Sequence, residues 1–241
     1  VDLQAAVRKH GADIGLAFDG DADRLGVVTD VGEIVWPDRV LMPLAEEVLT
    51  QQPGAAVVYD IKCSWHLTRL IERLGGQPIL WKTGHSLIKA KMRETGALLG
   101  GEMAGHFVHA DDWFGFDDAF YAAARLLRLL TRHGVSSTEF FAAYPTGLNT
   151  PELRLDMAEG EPFAFMARLT DQADFGTDAR IITLDGLRVE FPHGWGLVRA
   201  SNTTPSLTLR FEADDPSAMS DIQDRFRRQL LALQQNLALP F

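Results

Sequence analysis

The sequence predicts an α/β protein in which a parallel-sheet α/β domain is followed by a smaller, largely antiparallel α+β domain. Three observations predict it. From residue 34 to residue 146, apolar runs of strand length alternate with stretches of helical periodicity, the order that builds a parallel sheet. After Pro145-Thr146-Gly147 strands follow strands, with helices toward the ends. The polar clusters of the first part fall just after strand-like runs, where ligands sit in open α/β sheets.

Each element has its own warrant. Residues 1–11 read as a helix closing on a Gly cap. A helix that leads straight into a strand looks like the last piece of an α/β unit. Residues 1–33 are therefore expected to end one α/β domain, and the chain to be the C-terminal part of a longer protein. Ile14-Gly15-Leu16-Ala17-Phe18 and Leu25-Gly26-Val27-Val28-Thr29 are strand-like, Ile34-Val35-Trp36 is a short strand, and Pro37-Asp38 opens a helix. That helix carries Leu41, Leu44, Ala45, Val48 and Leu49 on one face. Ala56-Val57-Val58-Tyr59-Asp60 is uninterrupted, the pattern of a strand buried on both faces. A helix with Leu67, Leu70, Ile71 and Leu74 in register stops at Gly75-Gly76. Strands are expected at 78–81 and 97–99, with Ser86 capping a helix between them. A long helix is expected over 117–132 and a shorter one after Ser137.

From 147 to 241 the expected order is a strand at 152–155, a helix over 162–173 and strands at 181–184 and 187–191. The last two are joined by a two-residue Asp185-Gly186 turn. Strands at 196–199 and 207–211 then flank a polar loop, and a helix over 217–237 closes the chain.

Bulk composition excludes several function classes. The hydrophobic fraction of 46% supports packed cores in a chain of 241 residues. A formal net charge of −10, from 33 acidic and 23 basic residues, argues against a nucleic-acid or anionic membrane surface. No apolar run approaches the ~18 residues of a spanning helix, and the start shows no signal-peptide pattern. A single cysteine, Cys63, excludes an internal disulfide and fits a reducing cytoplasm. A cytoplasmic monomer is the expectation.

The strongest chemical feature is Asp19-Gly20-Asp21-Ala22-Asp23-Arg24, between the first two strands. Three carboxylates at alternate positions repel one another unless a cation sits among them, and hard oxygen donors suit Mg²⁺, Ca²⁺ or Mn²⁺. Arg24 cannot ligate; it is a fixed positive charge beside the metal, as suits a site that handles phosphate. An EF-hand loop does not fit, because Arg24 stands where that loop requires Gly and Asp30 where it requires Glu. A phosphatase with Asp19 as nucleophile remains an alternative.

Arg199-Ala200-Ser201-Asn202-Thr203-Thr204-Pro205 is the second feature: hydroxyls, an amide and a guanidinium on one tight loop suit a phosphate. Lys62 after one strand, Lys82-Thr83-Gly84-His85 after the next and Glu102 with His106 after the third are weaker signals, each readable alone as an ordinary turn or a solvated charge. Cys63 reads as a small core residue, and Trp113-Phe114-Gly115-Phe116 as core or loop packing.

Together these clusters resemble the α-D-phosphohexomutase superfamily, most closely its bacterial phosphomannomutase/phosphoglucomutase group. Asp19 to Arg24 resembles the metal loop of that family, Gly101-Glu102-Met103-Ala104-Gly105-His106 its sugar loop, and Arg199 to Pro205, with Arg210 following, its phosphate loop. Trp81-Lys82-Thr83-Gly84-His85-Ser86 and Asp60-Ile61-Lys62-Cys63 also match. The resemblance implies the end of domain 2 (1–33), a sugar-binding domain 3 (34–146) and a phosphate-binding domain 4 (147–241). It implies interconversion of hexose 6-phosphate and hexose 1-phosphate, of glucose or mannose, through a phosphoserine and a 1,6-bisphosphate. Asp19, Asp21 and Asp23 would hold Mg²⁺, and Arg24, Lys62 and His85 would act on the reacting groups. Lys62, Thr83, Gly84, His85, Glu102, Ala104, His106, Arg199, Ser201, Asn202, Thr203 and Thr204 would contact substrate. Met103 and Ser201-Asn202 set the chain apart from the phosphoglucosamine mutases. Ala104 stands where the family usually has Ser, and the phosphoserine loop would belong to domains preceding Val1. A binding module without its own nucleophile is the alternative the resemblance leaves open.

Overall fold

The computed structural model describes residues 1–241 and divides into two compact units, Val1–Thr146 and Gly147–Phe241. No helix is long and apolar enough to cross a membrane.

The first unit begins with helix α1 (Asp2–His10), ended by Gly11 in the left-handed conformation, φ 59°. Strands β1 (Ile14–Phe18), β2 (Leu25–Thr29) and β3 (Ile34–Val35) form an antiparallel sheet in that order. Phe18 pairs with Leu25, so the whole acidic loop is the connection of one hairpin. Helix α2 (Pro37–Gln51) starts with Pro37 in its first turn, where the missing N–H costs nothing.

A four-stranded sheet follows, in the order β5 (Gln77–Trp81), β4 (Ala56–Asp60), β6 (Leu99–Gly101), β7 (Phe107–His109). Strands β5 and β6 run parallel to β4, and β7 runs antiparallel to β6. All five residues of β4 are buried. Val57 and Tyr59 enter one apolar cluster with Leu41, Leu67 and Leu126, whereas Ala56 and Val58 enter another with Ile88 and Met92. The strand's two-residue period thus feeds both faces of the sheet. Helices α2, α3 (Trp65–Arg73) and α5 (Ala119–His133) supply the first cluster, and α4 (His85–Thr95) the second. A capping box of Ser136 and Glu139 opens α6 (Ser137–Ala142).

In the second unit β8 (Leu148–Asn149), β9 (Leu153–Asp156), β10 (Arg180–Ile182), β11 (Leu187–Phe191), β12 (Gly194–Ala200) and β13 (Ser206–Ala213) form one wholly antiparallel sheet. Helices α7 (Glu161–Gln172) and α8 (Pro216–Leu233) cover it through Phe165, Leu169, Ile222, Phe226 and Leu230. Gly196 lacks a side chain where the Phe226 ring lies against β12; a Cβ there would collide with that ring.

The α/β class is as expected, with five corrections. The sheet of the first unit is mixed, because the short β7 returns antiparallel at its edge. Helix α4 starts at His85 with Gly84 as its N-cap, so Ser86 lies inside the helix and caps nothing. The segment at 97–99 enters the sheet two residues later, as Leu99–Gly101. Ile182 pairs with Arg188, so Asp185-Gly186 lies within a longer hairpin loop instead of forming a two-residue turn. Helix α8 ends at Leu233, four residues short of expectation.

Phe226 is fully buried, with ring centroids 4.7 Å from Phe175 and 5.4 Å from Phe211. Phe226→Ala is expected to cost about 3–5 kcal/mol of the stability of the second unit. Hydrogen exchange of β11, β12 and β13 amides in native buffer measures it; protection within about 1 kcal/mol of the parent chain contradicts this packing.

Candidate functional site

The acidic loop is shaped by one unusual backbone position. Ala22 has φ 60°, the one non-glycine residue with positive φ, and its N–H donates to the Asp19 carbonyl at 3.2 Å. A side chain no larger than a methyl suits that conformation. The curl brings one carboxylate oxygen from each of Asp19, Asp21 and Asp23 within 4.8 Å of the others. Arg24 closes the loop: its Nε lies 2.5 Å from Asp19 Oδ2 and its backbone N–H donates to Asp19 Oδ1 at 3.2 Å. The Arg24 hydrogen bond holds the Asp19 carboxyl below the usual range. Three converging hard oxygens fit a divalent cation such as Mg²⁺ or Ca²⁺ and are poor ligands for soft metals.

A second loop is pinned to the first. Glu102 follows β6, and Gly105, φ 101°, turns the chain back. The Leu25 N–H donates to the Gly105 carbonyl at 3.0 Å, and Arg24 and His106 form an antiparallel bridge. Any Cβ on residue 105 would sit 3.0 Å from the Leu25 carbonyl oxygen, so the approach requires glycine. Ala119 N–H donates to the Ala22 carbonyl at 3.1 Å, which adds the start of α5 to the same junction.

Glu102 is only 3% exposed. Its Oε1 accepts from the Gly84 N–H at 2.5 Å, at the very start of α4. Burial, reinforced by the negative charge of Asp60, raises its pKa to about 7. Lys62 is buried too, against the expectation of a solvated charge: its Nζ lies 3.9 Å from Asp60 Oδ2, in the bottom of the sheet's carboxyl end. Thr83 Oγ1 lies 3.5 Å from the same Asp60 oxygen. Ala104 sits on the exposed face of the Glu102 loop.

Asp117 and Lys89, which the sequence did not single out, join His85 and His106 in one group. Asp117 Oδ2 lies 2.5 Å from His85 Nδ1 and 3.2 Å from His106 Nδ1, while Asp117 Oδ1 accepts from Lys89 Nζ at 2.5 Å. The two imidazoles stack with centroids 4.9 Å apart. Burial would raise the Asp117 pKa, but the hydrogen bonds from Lys89 and His85 outweigh it and bring the value down to about 2. Burial lowers the His106 pKa against the pull of Asp23 and Asp117. A signal was present in the pair Asp117-Asp118 before α5. One Asp suffices to cap a helix, and Asp118 does so, accepting from Tyr121 N–H. Lys89, one turn after His85 on α4, was the other clue.

The phosphate-like loop lies in the second unit, between β12 and β13. Arg199 is buried, with Nη2 3.2 Å from Asp185 Oδ2 and with an Nε that has no hydrogen-bond partner. Ser201 Oγ accepts from the N–H groups of Thr203 and Thr204, at 3.3 and 3.2 Å, and Thr204 Oγ1 reaches Ser206 Oγ at 2.9 Å. Asn202 and Thr203 are exposed at its tip. The Trp113 to Phe116 segment is loop packing and not core: Phe114 is 80% exposed, and Trp113 stacks on Tyr121 at 4.4 Å.

Comparison with known proteins decides the family. Sequence models of phosphoglucomutase/phosphomannomutase match in order: alpha/beta/alpha domain II over 1–32, alpha/beta/alpha domain III over 36–146 and the C-terminal domain over 152–229. The chain belongs to the phosphoglucomutase/phosphomannomutase family. It is 53% identical over 240 residues to a phosphomannomutase/phosphoglucomutase of Pseudomonas putida, covering 100% of this chain and 52% of that protein. It is 51% identical over 227 residues to a phosphoglucomutase of Neisseria gonorrhoeae, covering 94% of this chain and 49% of that one. The crystal structure of a phosphoglucomutase/phosphomannomutase family protein from Burkholderia thailandensis superposes with a TM-score of 0.93 at 49% identity, over 100% of this chain and 51% of that one. The chain thus spans about half the length of the curated relatives it matches. Membership implies a metal cofactor, and the converging carboxylates of the Asp19 loop fit one.

The raised pKa of Glu102 has a stability consequence. The folded state keeps the proton up to about pH 7, whereas the unfolded chain releases it near 4.5. Stability contributed by this group is therefore full below the unfolded value and falls as pH rises toward 7, by on the order of 3 kcal/mol. Glu102→Gln is expected to lose that fall. Paired denaturant titrations at pH 5 and pH 8 measure it, and equal pH dependence in both chains contradicts the assignment.

Proposed function

We propose that the chain carries the metal, sugar and non-reacting-phosphate sites of a phosphomannomutase/phosphoglucomutase, which interconverts hexose 6-phosphate and hexose 1-phosphate through a bisphosphorylated sugar. The observation that carries this reading is the junction in the first unit, where Arg24-Leu25 is paired to Gly105-His106 and the three-carboxylate loop thereby lies beside the Glu102 loop. The relatives' names, phosphomannomutase and phosphoglucomutase, support the substrate class.

Asp19, Asp21 and Asp23 would hold Mg²⁺, which when bound neutralises charge on a transferring phosphoryl group. Arg24, held on Asp19, would add a second positive charge at the same place. The reaction uses a phosphoserine, and no serine of this chain is assigned that part. Glu102, once deprotonated, accepts from two adjacent sugar hydroxyls, a contact glucose and mannose can both make. His85 has Nδ1 on Asp117, which leaves Nε2 as the nitrogen able to exchange a proton with a hydroxyl. Lys62, buried beside Asp60, supplies fixed positive charge near Glu102. In the second unit the partnerless Arg199 Nε, the Ser201, Asn202, Thr203 and Thr204 side chains and the loop amides form an anion cradle for the phosphate that does not react. The lone, buried Cys63 fits a cytoplasmic location.

Calorimetry of the chain with glucose 1-phosphate tests the reading. Arg199→Ala is expected to weaken binding at least tenfold, and equal affinities would remove the phosphate site. Ala104→Ser is expected to tighten binding by about threefold, the scale of one added neutral hydrogen bond. Unchanged or weaker binding would separate the Glu102 loop from sugar recognition. Release of free phosphate on adding Mg²⁺ would instead favour hydrolysis at Asp19.

A further inference from the structure

Asp23, His85, His106 and Asp117 come from four separate segments, and one ligating atom of each lies within 4.8 Å of all the others. The set differs in kind from the carboxylate loop next to it, because two of its four donors are imidazole nitrogens. His106 Nδ1 is buried and has no hydrogen-bond partner, although it lies 3.2 Å from Asp117 Oδ2 and 3.6 Å from Asp23 Oδ2. Its position suits a shared cation better than a hydrogen bond. Lys89 occupies Asp117 Oδ1 and leaves Oδ2 as the oxygen facing both histidines.

We propose that these four side chains form a second cation site, selective for a borderline transition ion such as Zn²⁺, which shares Asp23 with the carboxylate loop. Two imidazoles and two carboxylates are a Zn²⁺ donor set, whereas Mg²⁺ prefers oxygen alone. Tetrahedral Zn²⁺ at its usual bond lengths separates its ligand atoms by about 3.3–3.5 Å. The two His106 spacings, 3.2 and 3.6 Å, bracket that range. His85 Nδ1, now 2.5 Å from Asp117 Oδ2, must retreat by about 1 Å to admit the ion. Its side chain is 44% exposed, which leaves it room to do so.

Sharing Asp23 makes the two sites antagonistic. A transition ion at the histidines withdraws one carboxylate from the hard-cation loop, and a hard cation in the loop does the reverse. The inference rests on these side chains alone and stands or falls independently of which sugar phosphate the chain binds.

Zn²⁺ titrated into the chain against a chromophoric chelator provides the test. The expected result is one ion per chain, weakened at least tenfold by His85→Ala and by Asp117→Asn. Asp21→Asn, which touches the carboxylate loop alone, should leave the affinity within threefold, and millimolar Mg²⁺ should weaken Zn²⁺ binding. Zn²⁺ affinity that falls with Asp21→Asn but not with His85→Ala assigns the ion to the carboxylate loop and overturns the proposal. So does affinity unmoved by every variant, or no binding at all. Co²⁺ in the unsubstituted chain gives a second readout free of any folding defect. A strong visible band of a four-coordinate nitrogen–oxygen site supports the proposal, and the pale spectrum of six oxygen ligands overturns it.

Discussion

The backbone pairing of Arg24-Leu25 with Gly105-His106 is the constraint on which the first unit's chemistry depends. The acidic loop closes a hairpin of one small sheet, and the Glu102 loop follows a strand of another. Nothing in either sheet alone would bring them together. The bridge succeeds because residue 105 has no Cβ and adopts φ 101°. A carbonyl at contact distance then replaces what would otherwise be a side chain. Ala22 contributes the same kind of concession on the other side, a positive φ in a residue small enough to tolerate it. Both concessions fall where two loops must touch, as expected for a site that geometry and not core packing must specify.

Charge is organised around this junction in a way the net value of −10 conceals. Three of its carboxylates each have a basic side chain beside them. Asp19 has Arg24, Asp117 has Lys89, and Asp60 has Lys62. Asp21 is exposed and forms no ion pair, and Asp23 lies between Arg24 and His106. The loop's negative charge is therefore balanced on its inner side and open on its outer side. A cation entering from solvent meets the uncompensated carboxylates first.

Much of this was legible because the sequence carries it locally. The three-aspartate loop, the strand-end positions of Lys62, His85 and Glu102, and the Arg199 loop each occupy a few consecutive residues between strands recognisable by their apolar runs. What was not legible depends on distance along the chain. Asp117 meets His85 across 32 residues, and its own neighbourhood reads as a helix start. Strand β7 is three residues long and lacks a period of its own; it forms because β6 offers a free edge. Ser86 and Asp185-Gly186 misled for the opposite reason. Each is a strong local signal, overruled when Gly84 took the cap position to reach Glu102 and when pairing put Ile182 opposite Arg188.

Glu102 and Asp117 are both carboxylates within the same junction, yet their environments push them apart, to about 7 and about 2. Burial acts on both. It prevails at Glu102, where the negative charge of Asp60 reinforces it, and it loses at Asp117, which accepts from Lys89 and His85. Asp117 is thus anionic near neutrality and lies against both imidazole rings. Glu102 changes charge near neutrality, and one of its oxygens already accepts from the N–H of Gly84, the N-cap of α4. His85 is the first residue of that helix. A ligand that draws Glu102 into its charged form strengthens the Glu102–Gly84 bond, because a charged acceptor binds an N–H more tightly than a neutral one. Any change in the charge or occupancy of the Glu102 oxygens would therefore act through one hydrogen bond on the backbone that leads into His85.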